Sequence, residues 1–307
     1  MRLATQAPAT ELARPRLTAL REAAQIDEIL FPSDLSPASD RAFEHAALLG
    51  ERLGARVTVY HVLPPPAFGL HDAPHREVLR RARRDAQDHL ERMTRERAAS
   101  AEILIEQEVS VQRGLLRALA ARKPDLTVMA THGRQWIGQM FNGSVAETAL
   151  NAARRPLLLV REPEHGVALP YRRILVPTDM TPASGRAFPM AAMLARAFEA
   201  EVIALHVATT PHGDHAFGTS WVSYEVEARL PSEDSLAAFL GDEFAGVKVR
   251  PHVLMGSAWD RILQMAKVQR TDLIVMSTHG RDSMSDWVMG SHAERVVQQA
   301  PCPVLVV

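Results

Sequence analysis

Short apolar runs alternate with helix-length segments along the chain, and the alternation predicts its elements. Ile29–Phe31 predicts a buried strand, Pro37–Gly54 a helix and Arg56–Leu63 a second strand. The charged stretch Asp72–Ser100 predicts a long helix, and Ile103–Val111 a third strand. Gly114–Arg122 follows as a helix, Leu126–Thr131 as a fourth strand, Val145–Ala153 as a helix and Leu157–Val160 as a fifth strand. These strands read as continuous apolar runs, as burial on both faces demands. Strands separated by crossover helices pair in parallel with right-handed connections. The expected fold is α/β: a doubly wound, five-stranded parallel sheet of Rossmann-like type.

The pattern then repeats. ILFPSDLSPASDRAF (29–43) and ILVPTDMTPASGRAF (174–188) are identical at 10 of 15 positions, at an offset of 145. LTVMATHGR (126–134) returns as LIVMSTHGR (273–281) at an offset of 147, and Gly143-Ser144 returns as Gly290-Ser291 at the same offset. RPLLLV (155–160) and CPVLVV (302–307) keep it in pattern. A nearly constant offset over so long a span marks a duplicated domain rather than a solenoid of short repeats. The expected organisation is an N-terminal extension over 1–25, one domain over 26–161, a connector over 162–171 and a second domain over 172–307.

Length agrees: 307 residues make two domains at roughly 150 residues each. A formal net charge of −1 supplies no field to recruit nucleic acid or an acidic membrane, and neither is expected as a partner. Cys302 is the single cysteine, so an intrachain disulfide and cysteine-rich metal centres are ruled out. No apolar run reaches the eighteen or so residues of a membrane span, and the opening 25 residues lack the apolar core of a secretory signal. The cytoplasm is the expected location. Arg76, Arg80, Arg81, Arg83 and Arg84 interleave with Glu77 and Asp85, which predicts a solvated, salt-bridged helix face.

In a doubly wound sheet, ligands bind beyond the strand carboxyl ends, where strand order reverses. Strand one exits into Pro32-Ser33-Asp34-Leu35-Ser36-Pro37, and its counterpart into Pro177-Thr178-Asp179-Met180-Thr181-Pro182. Ser36 and Thr181 suit helix N-caps, with Pro37 and Pro182 at the first helical position. Asp34 and Asp179 serve either a ligand or their own turn through backbone N–H groups; spacing alone does not separate the two. Strand four exits into Ala130-Thr131-His132-Gly133 in one copy and Ser277-Thr278-His279-Gly280 in the other. Nine residues later each Gly-Ser pair opens a helix, where free N–H groups and the helix dipole favour an anion. The bland reading there is a Ser N-cap after a Gly turn.

The strand-end residues carry a resemblance. PSDLS and PTDMT after strand one, YHV (60–62) and LHV (205–207) ending strand two, and VMATHG and VMSTHG before the later Gly-Ser resemble the universal stress protein family in its tandem form, over nearly all of 26–307. The resemblance implies two adenine-nucleotide α-hydrolase-like domains and the nucleotide motif G-x2-G-x9-G-[ST]. It places Gly133, Gly143 and Ser144, with Gly280, Gly290 and Ser291, around phosphates. Pro32 with Asp34, and Pro177 with Asp179, would lie near adenine and ribose. Val62 and Val207 would offer backbone to adenine, Met129 and Met276 would line the pocket, and Val145 and His292 follow the motif serines. The first motif glycine is replaced, by Ala130 in one copy and by Ser277 in the other.

The implied ligand is ATP or ADP, with any Mg2+ carried by the nucleotide, and the implied role is regulatory, in stress. No GxxxxGK[ST] occurs, the first turn is not GxGxxG, and no Ser–His–Asp or Cys–His arrangement is visible, so no catalytic residue is assigned. Slow ATP hydrolysis is the enzymatic alternative. A nucleotide-free pairing scaffold is the other, because in the resembled family the closing strands, here Leu157–Val160 and Val304–Val307, mediate pairing; here they can join the two copies, leaving a pseudo-dimer open to homodimerisation. His61, His132, His206 and His279 end strands that flank strand one, too far apart to share an ion, and no protein metal site is expected.

Overall fold

The computed structural model describes residues 25–64, 73–97, 99–131, 155–161, 169–208, 231–277 and 290–307. The first copy supplies β1 (Glu28–Pro32), β2 (Arg56–Leu63), β3 (Ala101–Gln107), β4 (Leu126–Thr131) and β5 (Leu157–Arg161). The second supplies β6 (Arg173–Thr178), β7 (Glu201–Ala208), β8 (Val249–Met255), β9 (Leu273–Met276) and β10 (Val304–Val306). All lie in one sheet, ordered β3-β2-β1-β4-β5-β10-β9-β6-β7-β8. Pairing is parallel within each half, and the halves meet where β5 and β10 pair antiparallel, Val304 opposite Leu159 and Val306 opposite Leu157. The seam strands are buried, as their unbroken apolar sequence demands.

Helices cover both faces. On one face α1 (Pro37–Leu53), α2 (Ala73–Glu96), α5 (Phe188–Phe198) and α6 (Glu233–Leu240) bury Phe43, Leu90, Phe188 and Leu236. On the other, α3 (Val111–Arg122), α7 (Ala258–Val268) and α8 (Ser291–Gln299) bury Leu115, Leu119, Ile262 and Val296. Ser36 caps α1, its hydroxyl accepting from Ser39 N at 3.1 Å, and Pro37 opens the helix. Gly54 ends it with φ 68°, a left-handed turn that glycine adopts without a Cβ penalty. On α2, Glu77 pairs with Arg80 at 3.1 Å and Arg84 at 3.2 Å, and Arg81 with Asp85 at 3.9 Å, forming the salt-bridged face read from the sequence.

Two elements depart from the sequence pattern. The third strand stops at Gln107 and the helix starts at Val111, because Ser110 caps it by accepting from Arg113 N at 3.2 Å. Val109 and Val111, whose apolar character extended the expected strand, are 71% and 41% exposed. In the second copy the first helix is split into α4 (Pro182–Gly185) and α5. Pro189 stands where the first copy has Glu44; without an N–H it cannot bond back to Gly185, and the chain passes through Arg186 and Ala187 on i→i−3 bonds of 3.3 Å.

The two halves also meet through a buried polar pair. His45 of α1 and Tyr171, just before β6, lie 2.7 Å apart (Nδ1 to Oη), with their rings stacked at 5.8 Å. Tyr171 meets Phe198 of α5 edge-on at 5.1 Å, and Arg52 lies over Phe198 at 6.0 Å. Burial lowers the His45 pKa to about 4 and raises that of the Tyr171 phenol, so neutral imidazole pairs with neutral phenol at neutral pH.

A glycine inside α3 answers to close packing. A Cβ on Gly114 would stand 2.7 Å from Val62 Cγ2 and 3.1 Å from the Tyr60 hydroxyl, which itself lies 2.9 Å from Gly114 O and 3.0 Å from Glu106 Oε2. Gly114→Ala gains about 1 kcal/mol of helix propensity and loses about 2 to 3 kcal/mol to overpacking. A net loss of about 1 to 2 kcal/mol is expected in urea unfolding; a variant more stable than the parent would refute the close-approach argument.

Candidate functional site

Strand order reverses between β1 and β4 in the first half and between β6 and β9 in the second. At the first reversal the strand carboxyl ends bring together Pro32 and Asp34, Val62, and Met129 with Ala130. At the second they bring together Pro177 and Asp179, Val207, and Met276 with Ser277. Because β9 and β10 run parallel, the intervening α8 runs against them and begins at that same edge, with Gly290, Ser291 and His292. Gly133, Gly143, Ser144, Val145 and Gly280 fall outside the described residues.

Each Asp sits in a turn built the same way. Asp34 Oδ1 accepts from Ser36 N at 3.0 Å, and Leu35 N donates to Ser33 Oγ at 3.2 Å. Asp179 Oδ1 accepts from Thr181 N at 3.0 Å and from the Thr181 hydroxyl at 2.6 Å, while Met180 N donates to Thr178 Oγ1 at 3.0 Å. One carboxylate oxygen in each copy therefore does serve the turn. Leu35 and Met180 adopt left-handed φ of 62° and 60°, a conformation that costs a residue with a side chain about 1 kcal/mol or more. Asp34 is exposed and Asp179 half-buried at the cleft mouth.

His61 and His206 complete the turns. His61 Nδ1 lies 2.8 Å from Ser33 O, and His206 Nδ1 lies 2.9 Å from Thr178 O. The repeated HV pair was their signal in the sequence; it carried the family resemblance, while the histidines themselves raised only the question of metal. Among the described residues, no three His, Cys, Asp or Glu side chains are grouped to hold an ion.

A buried methionine and a small residue floor each cleft. Met129 and Met276 are buried, and Ala130 and Ser277, in the place of a motif glycine, are each 9% exposed. In the second copy Gly290, not Ser291, occupies the helix N-cap, at φ −61° and ψ 147°; having no side chain, it places no acceptor on the first-turn N–H groups. Ser291 is the first helical residue, so the reading of it as the cap is corrected. Ser291 and His292 are exposed at that end.

The amino end of each half's sheet carries a carboxylate that motif reading passed over. Asp125 Oδ2 accepts from Asp27 N at 3.0 Å and Glu28 N at 3.1 Å; Asp272 Oδ2 accepts from Arg172 N at 2.8 Å and Arg173 N at 2.9 Å. Each pins the start of the first strand of its half against the fourth. Their signal was their offset of 147, shared with the strands they precede.

The sequence model of the universal stress protein family matches residues 25–161 and again 170–307. The chain belongs to the universal stress protein family. Universal stress protein MJ0531 of Methanocaldococcus jannaschii is 35% identical over 143 residues, covering 45% of this chain and 82% of that protein. A universal stress protein of Mycolicibacterium smegmatis is 26% identical over 290 residues, covering 91% of this chain and 96% of its own, and so shares the tandem form. A universal stress protein structure from Archaeoglobus fulgidus superposes with a TM-score of 0.63 at 19% identity, over 91% of this chain and 95% of that one, which shows a common fold. Among the described residues, no helix is long and apolar enough to cross a membrane.

Proposed function

We propose that this universal stress protein is a cytoplasmic stress-response regulator that binds ATP or ADP at the strand carboxyl ends of one or both halves. The observation that carries the reading is a convergence. In each half the Asp turn, the HV strand end and the small residue at the end of β4 or just after β9 meet at one strand-order reversal, and in the second half the start of α8, with no side-chain cap from Gly290, joins them.

The donor set fits a nucleotide. First-turn N–H groups of α8 and the Ser291 hydroxyl suit phosphate oxygens, which need donors and a positive dipole end. Asp179 and Asp34 hold their turns through Oδ1 at the cleft mouth, where a carboxylate suits a ribose hydroxyl. Val207 and Val62 stand one residue from the ends of their strands, with backbone suited to a base edge, and Met276 and Met129 suit the pocket wall. Ala130 and Ser277 are small enough to leave the cleft floor open. Mg2+, when present, would come with the nucleotide and neutralise its phosphates. These residues would bind and orient the nucleotide.

Isothermal titration with Mg-ATP, repeated with Mg-ADP, tests the reading. Saturable binding at one or two sites per chain is expected. Gly290→Asp should weaken one class of site at least tenfold while the fold persists, because Asp is a preferred N-cap at these dihedrals and its carboxylate repels phosphate. Gly143→Asp should act on the first half alone. Neither heat nor a thermal shift at millimolar nucleotide would overturn nucleotide binding and leave the pairing scaffold.

A further inference from the structure

We propose that His61 and His206 are positioning residues of the two nucleotide sites, each clamping the Asp-bearing turn to the strand that presents the base contact. The proposal rests on the nucleotide reading above. Its first support is chemical. A backbone carbonyl only accepts, so the 2.8 Å and 2.9 Å contacts to Ser33 O and Thr178 O put a proton on Nδ1 in both rings. That bond makes Nδ1 the donor and fixes the orientation of the ring.

The second support is where the bonds fall. Ser33 and Thr178 directly precede Asp34 and Asp179, and the next residues, Leu35 and Met180, hold left-handed backbone without being glycine. The bonds Leu35 N to Ser33, Ser36 N to Asp34, Met180 N to Thr178 and Thr181 N to Asp179 are local to each turn. The histidine bond instead comes from the adjacent strand, at the residue just before Val62 or Val207. One His-Val pair therefore offers backbone toward a base and holds the carboxylate's turn in fixed relation to it.

The third support is repetition under change. The copies differ at Ser33 and Thr178, Leu35 and Met180, and Ala130 and Ser277, yet keep the same atom-to-atom bond within 0.1 Å. The bond thus depends on neither the hydroxyl residue nor the left-handed residue chosen.

Three paired variants of the full chain separate the roles: H61N/H206N, H61Q/H206Q and H61F/H206F. Asn carries an N–H close to the position of Nδ1, Gln carries one farther out, and Phe carries none. Hydrogen exchange of the Leu35, Ser36, Met180 and Thr181 amides in nucleotide-free protein reads the clamp; titration with Mg-ATP reads the site; thermal unfolding reads the fold. Exchange at least tenfold faster and Mg-ATP binding at least tenfold weaker are expected in the Gln pair. The Asn pair should restore both to within about threefold of the parent, with melting temperatures of the Asn and Gln pairs within about 2 °C. Unchanged exchange in both the Gln and Phe pairs overturns the proposal, as does retained affinity in the Gln pair of a parent that binds. A parent that binds no Mg-ATP fails the nucleotide reading itself, and the proposal with it.

Discussion

Tyr171→Ala is expected to destabilise the protein by about 4 kcal/mol, the cost of deleting a buried aromatic ring and leaving its cavity. The ring is fully buried against Phe198 and His45, and its hydroxyl pairs with His45 at 2.7 Å. Truncation removes both the packing and the partner of a buried imidazole. If both halves unfold together, the midpoint should fall by about 6 °C, given the usual per-residue unfolding entropy over this length. Tyr171→Phe keeps the ring and loses only the hydroxyl, so about 1 to 2 kcal/mol is expected. Calorimetry of both variants decides it: an alanine variant within 1 kcal/mol of the parent would show that the pair contributes nothing at the junction.

Acidification should weaken the fold in a window set by His45. Its pKa is lowered by burial from 6.5 to about 4, so the unfolded chain takes up a proton that the folded chain refuses. Stability from this group is complete above pH 6.5 and is lost as pH falls toward 4; about 2.5 kcal/mol should be gone at pH 4.5. The carboxylates act in a lower window. Glu102 is held below the carboxylate range by its hydrogen bond to Arg122, and Glu201, despite burial that pushes it up, is held below it by Lys248 and Arg250. Their contribution is present above their ordinary value and lost beneath it, so pH 6.5 to 4.5 belongs to the histidine. His45→Met with Tyr171→Phe replaces the polar pair by apolar groups, Met being the residue at the matching position 190 of the second copy. Urea unfolding of that variant should be nearly flat across this window, and a slope equal to the parent's would locate the proton elsewhere.

The repeat and the strand pattern carried most of this architecture. Arg56–Leu63 and Leu126–Thr131 form strands with the bounds read from sequence, because each is a β-rich apolar run between polar breaks. Local pattern failed where one side chain overrode it. Ser110 ended the apolar reading of the third strand by capping a helix, and Pro189 divided a helix that repetition predicted whole. Pro32, Asp34, Val62, Met129 and Ala130 meet at the carboxyl edge of the first half, and their counterparts at that of the second, since the strand exits and the topology fix that much. The histidine bonds to Ser33 and Thr178 were not readable, because a contact between residues 28 apart needs the register of β1 against β2 and of β6 against β7. The His45–Tyr171 pair was hidden for the same reason at a separation of 126 residues.

The antiparallel seam of β5 and β10 has a bearing on dilution. Two separate chains joined along such a strand would part as their concentration fell. Here one polypeptide carries both sides, and a short tether holds them at an effective concentration on the order of millimolar. The seam therefore stays closed however scarce the protein becomes, and the geometry between its two clefts is the same in the first copy made in a cell as in the last.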